Sequence, residues 1–112
     1  MSGKFSYTTS RDLTAGYRFC GWKNFQTGPW QMHWTDDLQG ALLRLFARHM
    51  RCSTARRKMR ALDRQARRYP RQDPTRLPGY RAQVLRERHE YRDVRYVLKS
   101  NPRVTFRFQT GS

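Results

Sequence analysis

Residues 80–99 read YRAQVLRERHEYRDVRYVLK, and the way this stretch folds sets the architecture of the chain. At 100° per residue Tyr80, Val84, Tyr91, Val94 and Leu98 share one side, while Leu85, His89 and Tyr96 form a second, weaker apolar side. Glu87, Glu90 and Asp93 intervene among Arg81, Arg88, Arg92, Arg95 and Lys99, and His89 and Asp93 are spaced to pair on a helix. The pattern predicts a helix packed between layers and ended at Asn101-Pro102.

Working backwards, residues 71–78 (RQDPTRLP) read as a loop that opens after Pro70. Before it, Ala55, Met59, Leu62, Ala66 and Tyr69 make one apolar stripe, and Leu38, Leu42, Leu45, Phe46 and His49 make another. On one uninterrupted helix the two stripes would sit about 120° apart. This predicts two helices with a break at Cys52-Ser53-Thr54: the first capped by Thr35 or Asp36 with Gln39, the second by Ser53.

The first third of the chain is strand-like. Residues 4–9 alternate with Phe5 and Tyr7 on one face, residues 17–25 (YRFCGWKNF) are aromatic-rich, and residues 30–34 alternate again after the turn Gln26-Thr27-Gly28-Pro29. Residues 103–109 (RVTFRFQ) place Val104, Phe106 and Phe108 on one face and Arg103, Thr105 and Arg107 on the other, the pattern of a strand returning to the same sheet. The expected fold is α+β in one domain: an N-terminal three-stranded antiparallel meander and a C-terminal strand packed against three helices, in the order βββ-α-α-α-β.

Charge dominates the functional reading. The 112 residues carry 24 Lys and Arg against 8 Asp and Glu, a formal net charge of +16, and only Lys4, Lys23, Lys58 and Lys99 are lysine. A small soluble domain ordinarily carries a net charge of about 2–8. The excess is guanidinium, planar and forked, which suits phosphate. At 13% the aromatic residues are too many for a disordered polycation. No apolar run approaches the ~20 residues of a spanning helix, and residues 1–7 lack the order of a signal peptide. Cys20 and Cys52 stand alone in sequence and read as two reduced thiols, with a single disulfide as the alternative. Together these features lead to the expectation of a cytoplasmic protein without a membrane partner.

Placement sharpens the charge. Arg44, Arg48, Arg51, Arg56, Arg57, Lys58, Arg60, Arg64, Arg67, Arg68 and Arg71 follow one another with Asp63 as the single acid between them. On the second predicted helix Arg56, Arg57, Arg60, Arg64, Arg67 and Arg68 fall in a sector of about 120° opposite the apolar stripe. Such a face repels itself unless phosphates neutralise it. The expected nucleic-acid-binding residues are Arg44, Arg48, Arg51, Arg56, Arg57, Arg60, Arg64, Arg67, Arg68 and Arg71, joined by Arg88 and Arg92. Trp22 and Trp30 are candidates for stacking on unpaired bases.

The function expected from these residues is non-enzymatic nucleic-acid binding, with RNA or a ribonucleoprotein favoured over DNA by the aromatics and the arginine bias. A second reading is a small phage- or plasmid-encoded inhibitor that binds an acidic protein surface or a nucleoprotein complex. A third is a metal-independent ribonuclease casting His33, His49 or His89 with Arg51 in acid–base and clamping roles. His49, on an apolar stripe, reads instead as a core histidine. Asp36-Asp37 is explained by capping, and no phosphate-binding loop, nucleophile elbow or metal-ligand spacing occurs. No catalytic residue, metal or cofactor is expected.

Overall fold

Alternation of period two governs the strands, and among the described residues one amphipathic helix interrupts them. The computed structural model describes residues 16–24, 29–32, 42–88 and 91–111. Among the described residues the elements are β1 (Arg18–Asn24), β2 (Leu42–Arg48), α1 (Cys52–Arg68), β3 (Tyr80–Arg88), β4 (Tyr91–Leu98) and β5 (Thr105–Gly111). The five strands form a single sheet in the order β1-β2-β5-β4-β3, with every neighbouring pair antiparallel.

The expected order of three strands, three helices and a final strand is therefore overturned. Residues 42–48 (LLRLFAR) form a strand where a helix was expected. In a strand, Leu43, Leu45 and Ala47 share one face while Arg44 and Phe46 share the other, and all five side chains are buried. β2 sits inside the sheet with both faces covered, so its apolar residues crowd together and mimic helical spacing. Residues 80–88 and 91–98 likewise form the antiparallel pair β3–β4 and not a helix. Tyr80 pairs with Leu98, Ala82 with Tyr96 and Val84 with Val94. The Tyr- and Val-rich run YRDVRYVL suits a half-buried pleated surface better than a helix. Asn101-Pro102 marks the turn between β4 and β5, where the Arg103 N–H donates to Asn101 Oδ1.

Other elements lie where the sequence places them. β1 falls within the aromatic run 17–25, β5 overlaps the alternating run 103–109, and α1 matches the second predicted helix. In place of a further strand, Gln31 makes an isolated bridge to Trp22. The alternating run 4–9 and the cap residues Thr35, Asp36 and Gln39 lie outside the described residues. α1 begins one residue before Ser53, and Arg51 occupies the cap position without a side-chain hydrogen bond. What holds this end is nonlocal: a disulfide joins Cys52 to Cys20 on β1, 32 residues away in sequence. The reading of two reduced thiols is corrected accordingly, and with it goes the argument from free cysteines for a reducing compartment. No helix among the described residues is long and apolar enough to cross a membrane.

The core lies between α1 and one face of the sheet. Ala55, Met59 and Leu62, at i, i+4 and i+7, meet Leu43, Leu45, Ala47, Val94, Tyr96 and Phe106. Tyr96 stacks on Phe106 at 5.1 Å, with Tyr80 edge-on to the same ring at 5.5 Å. Burying each such side chain is worth about 1.5–3 kcal/mol. The loop after α1 is fastened by buried Leu77, by the Tyr96 hydroxyl donating to the Thr75 carbonyl at 2.5 Å, and by Arg92 paired with Asp73.

Candidate nucleic-acid interface

The geometry of α1 follows from its two faces. Ala55, Met59 and Leu62 turn inward, so the positions half a turn away must face solvent. Arg57, Arg60, Arg64, Arg67 and Arg68 are all exposed, and exposed Arg51 and Arg71 extend the row at both ends. Neighbours three and four apart on such a face stand about 5–6 Å from one another. Asp63 is the acid on this surface, and it pairs with Arg67 at 2.7 Å with both side chains largely exposed. Such a pair contributes little in water. Arg57 donates to Thr54 Oγ1 at 3.2 Å, and the Arg68 guanidinium lies 5.5 Å from the Tyr69 ring centroid.

Arg56, expected in the same sector, is used differently. It flanks the buried stripe, and its Nη1 donates to the Cys20 carbonyl at 2.8 Å and meets Met32 Sδ at 3.5 Å. Together with the disulfide it clamps α1 onto β1. The basic last turn, Arg67 and Arg68, stands where the helix dipole favours cations.

The remaining expected contacts separate from this face. Arg44 is buried at 2% exposure on the side of the sheet away from α1, opposite Gln109 in register. A strand side chain buried in a sheet cannot reach a phosphate backbone along α1, and Arg44 is withdrawn from the interface on that ground. Arg48 lies at the end of β2, its guanidinium 5.9 Å from the Tyr17 ring centroid. Arg92 is held in two ion pairs, with Asp73 at 2.5 Å and Glu87 at 3.1 Å. Arg88 is exposed near the end of β3. Trp22 is half-buried, with its backbone bonded to Gln31. Trp30 is partly buried against the core, with Lys23 Nζ 5.4 Å from its ring centroid. His49 is not on an apolar stripe: it is exposed and left-handed, φ 54°, in the turn after β2. His33 and His89 lie outside the described residues, as does the expected His89–Asp93 pairing.

Asp93 instead forms the polar centre of the far face of the sheet. It is fully buried and paired with Arg107 Nη2, while Gln109 Nε2 donates to the same carboxylate at 3.4 Å. Burial and the neighbouring Asp93 push the Tyr91 phenol up; Arg86, Arg107 and Arg44 oppose them. Sequence reasoning placed Arg107 on the polar side of its strand but missed the partner, because the two positions meet only through β4–β5 pairing.

Among the described residues, fold and surface define a class: an antiparallel sheet of five strands with one helix packed on it, ββαβββ, whose outward helix face is a row of arginines. No family model matches the chain, and no curated protein or solved structure is found to be similar to it.

Proposed function

We propose that this protein binds nucleic acid without catalysing a reaction on it, holding the phosphate backbone along α1. One observation carries the reading: five exposed arginines in one helical sector, opposite a fully buried stripe, with Asp63 as the single acid among them. The fork of a guanidinium takes phosphate bidentately, and a face that reads only backbone is tolerant of sequence. RNA or a ribonucleoprotein is favoured over DNA by the arginine bias.

Fluorescence anisotropy with random single-stranded RNA, single-stranded DNA and duplex, each across a salt series, tests this directly. Neutralising six to eight phosphates gives a slope of log K against log salt of about −5 to −7. Arg57→Glu with Arg64→Glu should weaken every sequence alike and reduce that slope, with the melting transition retained. Absence of binding to all three at low salt, or an affinity indifferent to the double reversal, removes the proposal. An acidic protein surface then becomes the partner that suits the same face.

A further inference from the structure

Between α1 and the sheet lies a cavity of about 160 Å³. Trp30, Leu43, Met59, Leu62, Val94 and Phe108 supply its apolar walls. A cavity of about this volume with aliphatic and aromatic walls has room for a benzene-sized guest. Beyond the Trp30 indole N–H these walls offer a ligand no hydrogen bonds, so whatever enters must be hydrocarbon over most of its surface.

The charged lining residues are not equivalent. Asp63 is engaged by Arg67, and Arg92 by Asp73 and Glu87. That leaves Arg60, exposed on α1, and Lys23, which lies over the edge-forming Trp30 ring. Among the described residues neither is in an ion pair. A cation beside an apolar wall interacts more strongly with an anion than it would in open water.

From the apolar interior and the two cations beside it, we propose that this cavity binds a small amphiphilic carboxylate. A single aromatic ring or short alkyl chain occupies the pocket, and the carboxylate is held between Lys23 and Arg60. The site shares Arg60 with the proposed phosphate-binding face but differs from it in ligand, which carries no phosphate.

The disulfide-bonded full-length chain is titrated with 3-phenylpropionate, 3-phenylpropanol and propionate, followed by calorimetry and tryptophan fluorescence. For a ligand of this size the expected Kd is on the order of 0.1–1 mM. Phenylpropionate should bind at least about tenfold more tightly than the alcohol, and propionate, lacking the ring, should not saturate. Met59→Trp fills the space and should abolish binding of both ring compounds. Lys23→Glu with Arg60→Glu, both outside the buried core, should erase the preference for the acid while the alcohol still binds. The proposal is overturned by absence of saturable binding, by equal affinity for acid and alcohol, by saturation with propionate, or by an acid preference that survives the double reversal. Salt-dependent binding to nucleic acid is measured separately with Arg57 and Arg64, so either reading can fail without the other.

Discussion

Gly21 adopts φ +112°, a conformation side chains rarely enter, at the bulge where β1 shifts register against β2. A Cβ there would lie 2.9 Å from the Gln31 carbonyl oxygen and 3.1 Å from Met32 Sδ. The glycine is what lets the segment carrying Trp30 lie against β1. Gly21→Ala should destabilise by about 1–3 kcal/mol through strain and displaced backbone, read as a lower midpoint in urea. Tyr96 offers a second test. Burial, with Asp73 adding to it and Arg92 opposing, pushes its phenol up to about 12. The fold favours the neutral form, so the stabilisation is complete below the ordinary value of about 10 and is lost as pH rises from 10 through about 12. Stability in urea, measured against pH, should fall across that window, by about 2–3 kcal/mol in total, and Tyr96→Phe should flatten this fall.

Among the elements, α1 was legible and β2 and the β3–β4 pair were not. α1 declares itself through a stripe at 3.6-residue spacing that persists for 17 residues. Residues 42–48 are too short for period to decide, because Leu42, Leu45 and Phe46 satisfy helical spacing while Leu43, Leu45 and Ala47 satisfy a strand. In residues 80–99 the charges at helical intervals concealed a strand signal carried by Tyr91, Val94, Tyr96 and Val97. This error does not touch the arginines of α1; Arg44, on β2, is buried in the sheet, and Arg92, on β4, is held in two ion pairs. Two of the nonlocal links between elements can each be cut. Cys20→Ser with Cys52→Ser opens a loop of 32 residues' separation and should cost about 3–4 kcal/mol, seen as a lower melting temperature that dithiothreitol reproduces in the parent chain. Asp93→Ala leaves Arg107 buried without its carboxylate and should cost about 3–5 kcal/mol in chemical unfolding, far more than any exposed arginine on α1.

At the scale of the whole molecule the +16 charge is divided by the fold into structural and solvent-facing parts. Arg107 and Arg44 are consumed inside the sheet, and Arg92 and Arg56 fasten a loop and a helix. The row on α1 remains in solvent, and there the charge should govern behaviour. Raising salt should therefore raise the melting temperature of the free protein, by screening repulsion along α1, and Arg57→Glu with Arg64→Glu should reduce that salt response. The amino-acid sequence by itself determined the excess of guanidinium, the amphipathic helix over residues 52–68 and the arginine face opposite its stripe, because these depend on local spacing alone. Only the tertiary structure decided that residues 42–48, 80–88 and 91–98 are strands, that Cys20 meets Cys52 and that Asp93 meets Arg107. Each of those depends on which residues stand opposite one another across a sheet or against a helix, and chain neighbours carry no record of that.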